Sequence, residues 1–289
     1  MYHRRSLPPL TKAKIGCILP TATGNFDRVI EAAKQCEKSG YDSVWAFDHL
    51  APYWTISGSS LECWTVLAAV AERIKTIRIG SLVTNVELRN PLMLARITST
   101  LNLTSKGRLM VGLGTGDRLS RTELTSYGYP FRSLDKRLAQ LDETIRILKT
   151  SWAREDSNFI GKHCQGAKTK NTFKPSQESP PIWIGGKHEK IINLVARSAD
   201  GWNYWNLTKN ESQNKIAYLR ERCSRLHRPF ENITKSWSGT LHSDSMNKET
   251  LLERLRNEVG HEIRYLIVSF GPQANARDYE TFAEAAAQF

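Results

Sequence analysis

The sequence predicts an α/β chain folded as a single (β/α)8 barrel of the TIM type, with insertion loops at its C-terminal rim. Three observations predict it. Short apolar strands alternate with amphipathic helical stretches almost throughout the 289 residues. The strand–helix pair recurs eight times, which at this length suits a closed barrel better than an open sheet. Several predicted strands also end in glycine or in polar residues, and chemistry in such barrels sits at the strand C-termini.

The elements follow in order. Ile15 to Leu19 reads as the first strand, and Phe26 to Ser39 as a helix with apolar residues at helical spacing. Gly40 ends it as a C′ residue would. Ser43 to Phe47 is the second strand and Leu61 to Ile74 the second helix. Ser59 and Glu62 stand at capping-box spacing before that helix, so Glu62 is assigned to capping. Ile77 to Val83 is the third strand, and Pro91 opens a helix that runs to about Leu103. Arg108 to Leu113 is the fourth strand and Arg137 to Lys149 its helix. Trp152 to Ser179 is long, polar and unassigned. Strands at 182–184, 202–205, 235–241 and 264–270 then alternate with helices at 191–198, 215–226, 248–259 and 279–289. The whole chain, 1–289, is taken as one domain.

Composition narrows the function. No apolar run reaches the roughly 18 residues of a membrane span. MYHRRSLPPL lacks the apolar stretch of a secretion signal. Cys17, Cys36, Cys63, Cys164 and Cys223 are dispersed and form no CxxC pair, which argues against a zinc site or disulfide framework and fits a reducing cytoplasm. The net charge of +12 attracts polyanions or a phosphorylated cofactor. No nucleic-acid module organises that charge, and Gly161 to Lys190 is its richest stretch.

Five strand ends carry the candidate chemistry, among them Ser81 to Thr84 after the third strand. Asp48 and His49 follow the second strand, where an acid and an imidazole need pairing or a purpose. A loop cap and a core histidine are the plain alternatives. Gly112 to Asp117, GLGTGD, lacks the last glycine of a dinucleotide fingerprint. In a barrel it would let a flat ring lie on backbone, or it is simply a tight turn. Gly185-Gly186-Lys187 precedes a helix, where free N–H groups and a lysine suit an anion, or form a turn without a ligand. Trp205 ends the sixth strand. Trp54, Trp202 and Trp205 are candidate walls of a substrate pocket by position alone. Asp200 is assigned to the turn into that strand. No metal site is expected.

The stretches GYDSVWAFDHL, LECWTVLAAVAERIKTIRIGSLVTN, RNPLMLARITSTLNLTSKGRLMVGLGTG, YGYPF and PPIWIGGKHEKIINLVARSADGWN, in this order, resemble the luciferase-like monooxygenase superfamily on its F420-dependent branch. The resemblance covers roughly residues 14 to 206 with specific motifs. It implies a barrel, often dimeric, that holds a flavin-type ring at the strand C-termini. It further implies Asp48 as a cofactor contact and His49 as the acid/base group, for which an imidazole pKa is apt. A non-proline cis peptide would fall at Ser81–Leu82, with Ser81, Leu82 and Thr84 beside the ring. Gly114, Thr115 and Gly116 would flank it, and Gly185, Gly186 and Lys187 would take its phosphate. Asp117 stands where some members place a glutamate proton donor. The basic surface fits the oligoglutamate tail of F420. The function so implied is an F420-dependent oxidoreductase acting on a small organic molecule, with an FMN-dependent monooxygenase or a non-catalytic flavin or deazaflavin binder as alternatives.

Overall fold

The computed structural model describes residues 13–51, 58, 60–153, 156–161, 165–170, 178–205, 207–242, 247–271 and 273–289. Eight parallel strands close a barrel: β1 (Lys14–Ile18), β2 (Ser43–Ala46), β3 (Arg78–Ser81), β5 (Leu109–Gly114), β8 (Ile182–Gly185), β9 (Gly201–Trp205), β10 (Thr234–Leu241) and β11 (Tyr265–Phe270). Each pairs with its neighbour in that order, and β11 pairs back onto β1 with Ile15 opposite Leu266. The barrel expected from the alternation is present. Its helices α1 (Phe26–Lys38), α2 (Cys63–Arg73), α3 (Pro91–Thr104), α5 (Leu134–Ala153), α6 (Glu189–Ser198), α7 (Lys209–Arg225), α8 (Lys248–Glu258) and α9 (Ala276–Ala286) surround it.

Local signals set most helix ends. Asn25, Asn90 and Glu62 accept backbone N–H bonds at the starts of α1, α3 and α2, and Pro91 fills the first position of α3. Glu62 is therefore the cap itself, while Ser59 lies outside the described residues. Gly40, at φ +74°, turns the chain after α1 as expected. Asp200 accepts from Ile182 N at 2.8 Å and ties β8 to the turn before β9.

Three additions were not foreseen. β4 (Thr84–Asn85) extends the sheet beside β5 at the mouth. α4 (Leu119–Ser126) lies between β5 and α5. The unassigned polar stretch contains an antiparallel ribbon of β6 (Asp156–Ile160) and β7 (Gln165–Lys170).

Two apolar layers hold the barrel. The larger lies between strands and helices; the smaller fills the interior with Ile18, Trp45, Leu82, Met110, Trp183, Tyr265 and Ile267. Trp45 and Trp183 pack with ring centroids 5.1 Å apart, and Tyr265 meets Trp183 edge-on at 5.1 Å. Trp45 fits because the neighbouring strands carry glycine: a Cβ on Gly16 or Gly80 would come within 2.7 Å of the indole. Ser43 Oγ accepts from both Trp45 Nε1 and Tyr265 OH, so the polar edges of these rings are satisfied.

Candidate active site

At the C-terminal mouth of the barrel lies a cavity of about 540 Å³. Phe47, Leu82, Val83, Leu119 and Trp205 give it apolar walls, and His49, Asn85, Thr115, Asp117 and Lys187 supply polar groups. Five strand ends meet there, those of β2, β3, β5, β8 and β9, on the face where barrel chemistry sits.

Asp48 is buried and fully engaged. Arg89 grips its carboxylate with two bonds of 2.6 and 2.8 Å, and Asn85 N donates to it at 3.1 Å. Burial raises the Asp48 pKa above its usual value, and Arg89 offsets this only in part. Arg89 also reaches Glu62, so the end of β2, the segment after β4 and the cap of α2 are fastened together. This satisfied pair explains why an acid is tolerated at the end of a buried strand.

His49 lies beside Asp48 and lines the cavity. Its Nδ1 is 3.0 Å from both carboxylate oxygens of Glu123, on α4. Glu123 is buried and also accepts from Ala51 N. Burial opposes the charged imidazolium, but Glu123, followed by Asp117 and Asp48, outweighs it and raises the His49 pKa. Glu123 was not singled out in the sequence.

The non-proline cis bond joins Leu82 and Val83, one residue beyond the expected Ser81–Leu82. Ser81 stays in the ladder and bonds Gly112 O through its hydroxyl, so it faces β5 and not the cavity. Thr84 is likewise buried away from the cavity lining; Leu82 and Val83 face it. The glycines of the mouth also have a packing purpose. A Cβ on Gly112 would meet Ser81 O at 2.0 Å, and one on Gly114 would meet Val83 at 2.4 Å. They make room for this bend, and Val83 also lies over Gly185. Gly114 and Gly185 still line the cavity beside Val83.

Arg137, on α5, donates 2.7 Å bonds to the carbonyls of Thr115 and Gly116 and pins the turn. Asp117 Oδ1 accepts from the N–H and hydroxyl of Ser120, so this acid caps the start of α4. Gly186, at φ +129°, donates to Asn203 O, and its carbonyl accepts from Trp202 Nε1. Lys187 is exposed at the cavity edge just before α6. Of the three tryptophans proposed as walls, Trp205 lines the cavity. Trp202 belongs to the outer layer, fully buried between strand and helices. Trp54 lies outside the described residues.

Fold and site together define a (β/α)8 barrel that gathers an imidazole–carboxylate pair and glycine turns at its C-terminal mouth. The chain belongs to the luciferase-like monooxygenase family, whose family model matches residues 10–287. An F420-dependent glucose-6-phosphate dehydrogenase of Amycolatopsis mediterranei is 30% identical over 175 residues, 60% of this chain and 52% of that protein. An F420-dependent hydroxymycolic acid dehydrogenase of Mycobacterium tuberculosis is 30% identical over 189 residues, 65% of this chain and 51% of that protein. This chain spans about half the length of these curated relatives. Among solved structures, an F420-dependent secondary alcohol dehydrogenase with an F420–acetone adduct superposes with a TM-score of 0.81, covering 96% of this chain and 99% of that one at 19% identity. At that identity the likeness speaks for the fold.

Proposed function

We propose that this protein is an F420-dependent oxidoreductase acting on a small organic substrate at the barrel mouth. The observation that carries the reading is His49, held by a buried carboxylate in the wall of a cavity bounded by the two glycine turns. The names of the curated relatives support the cofactor assignment. The residues suit such a group. The apolar walls accept a flat ring, Gly185 and Gly186 offer backbone without side-chain bulk, and Lys187 with the start of α6 favours a phosphate.

Bound there, the deazaflavin would supply the hydride donor or acceptor. The chain's residues do the rest. Gly114, Thr115 and Gly116 bed the ring beside Leu82 and Val83. Lys187 and the start of α6 would hold the phosphate, with Gly185 and Gly186 leaving room for it. Asp48, tied to Arg89, fixes the position of His49. His49 gives or takes the proton that accompanies hydride movement, and the carboxylate that raises its pKa favours its protonated form. Trp205 and Phe47 shield the reacting centre.

The protein is further proposed to be a cytoplasmic homodimer. Four described cysteines are buried free thiols, which fits a reducing compartment. A groove on α2 and α3 is lined by Trp64, Met93, Ile97, Tyr127 and Tyr129, with Met93 and Tyr127 well exposed. Among the described residues no helix is long and apolar enough to cross a membrane.

Separate titrations with F420 and FMN test the cofactor. F420 is expected to bind more tightly, with affinity falling as salt rises because charge contributes. Tighter binding of FMN overturns the assignment.

A further inference from the structure

We infer that Glu123 is the positioning residue of His49, and that Asp117 acts by anchoring the helix that carries Glu123. The inference rests on the proposed acid/base role of His49 and extends it to the atom that moves the proton.

Both carboxylate oxygens of Glu123 lie 3.0 Å from the same ring nitrogen, Nδ1. A carboxylate there accepts a hydrogen bond, so Nδ1 keeps its proton in the neutral ring. Nε2 is then the nitrogen that exchanges a proton, and it has no hydrogen-bond partner among the described residues. Glu123 does not wander. It is buried, it also takes Ala51 N, and it sits one turn into α4.

The start of that helix is where Asp117 comes in. Asp117 Oδ1 accepts from Ser120 N and from Ser120 Oγ, while Asp117 N donates back to Ser120 Oγ. Glu123 follows Ser120 by three residues, on the same side of the helix. Arg137 holds the carbonyls of Thr115 and Gly116 just before the cap. The turn that beds the cofactor and the carboxylate that orients His49 are thus parts of one rigid segment. The charged groups around the imidazole are Glu123 from α4, Asp117 from the turn after β5, and Asp48 from the end of β2 with its partner Arg89. Glu123 is the one in direct contact.

The test is a pH titration of the ligand-free protein followed by 15N-detected imidazole NMR. In the wild type, neutral His49 should show a protonated Nδ1 and a bare Nε2. Glu123→Gln keeps an acceptor for Nδ1 but removes the charge. It should preserve that tautomer and lower the His49 pKa by about one to three pH units, as loss of an opposite charge in contact does. Glu123→Ala should lower the pKa and release the tautomer. Asp117→Ala should reproduce part of the Glu123→Ala change by loosening α4. An Nε2-protonated neutral ring in the wild type, or an unchanged pKa in folded Glu123→Gln, overturns the inference; Glu123→Gln is close to isosteric and decides the matter even if Glu123→Ala fails to fold. Adding F420 to the same wild-type sample tests the functional reading separately. A His49 resonance indifferent to bound F420 counts against that reading, whereas the pairing is judged on the ligand-free titration.

Discussion

Removing Arg89 should expose how much the mouth of the barrel depends on one ion pair. In Arg89→Met, the Asp48 carboxylate keeps Asn85 N as a donor but loses both guanidinium bonds. The Asp48 side chain is only 2% exposed and that of Arg89 15%. Breaking a buried pair from one side costs roughly 3–5 kcal/mol. The partial exposure of Arg89 places the expected loss at the lower end, about 3 kcal/mol. At about 2 °C per kcal/mol for a chain of this size, the melting temperature should fall by about 6 °C. The sign of the pH dependence follows from Asp48. Burial already raises its pKa in the folded state, and without Arg89 it rises further. A carboxyl with a raised folded-state pKa holds a proton that the unfolded chain has released, so stability falls as pH rises above the unfolded value of about 3.9. The Arg89→Met deficit should therefore be larger at pH 7.5 than at pH 5. Urea unfolding at both pH values measures this. In the double variant Asp48→Asn, Arg89→Met, where no buried charge is left unpaired and only the half-exposed Glu62 has lost its partner, most of the loss should be recovered. A double variant as unstable as the single one, or a deficit that grows on acidification, would refute the reasoning.

His49→Ala should lose turnover by about 10²–10⁴-fold while binding F420 to within about tenfold, equivalent to roughly 1.4 kcal/mol; single-turnover rates and fluorescence titration on one preparation separate the two. Gly186→Val places a branched side chain at φ +129° with its Cβ 2.6 Å from Ile191. F420 affinity should drop, and unchanged affinity would locate the phosphate elsewhere. Gly114→Ala presses on Val83, whose Cγ2 would be 2.4 Å from the new methyl. Val83 must then move into the cavity, so F420 binding should weaken more than for Gly260→Ala, where the nearest atom is Ser212 Oγ at 3.5 Å.

The barrel was legible because buried parallel strands appear as short apolar runs, and their turns as glycine, Asp or Asn. The same turns marked Asp48, His49, the GTG segment and Gly185-Gly186. Other features were not legible, for definite reasons. Glu123 is 74 residues from its partner, and spacing along the chain says nothing about a contact closed by the barrel. Its helix buries only Ser120, Glu123 and Leu124, too few for a periodic apolar face. The one sequence signal for α4 was Asp117 three residues before Ser120, the pattern of a helix start. Trp202 was misplaced by the parity of its strand. Side chains on β9 alternate faces, so Asn203 and Trp205 look inward while Trp202 and Tyr204 look out. Both faces of a barrel strand are apolar, so composition does not tell them apart. The room that the glycines of β5 make for Val83 was not legible, because the bend that fills it belongs to a different strand end.

The stack of Trp45, Trp183 and Tyr265 across the barrel interior acts as a bulkhead. Above it lies the cavity of His49. Below it, at the opposite face, lies a separate polar hollow of about 1260 Å³ bordered by Lys14, Arg78 and Arg264. Within this layer the polar atoms of Trp45 and Tyr265 are both bonded to Ser43. The cavity of His49 opens at the rim, on the side away from this layer. The two hollows are thus isolated compartments, and a change at the rim is felt in the one without being passed to the other through the barrel.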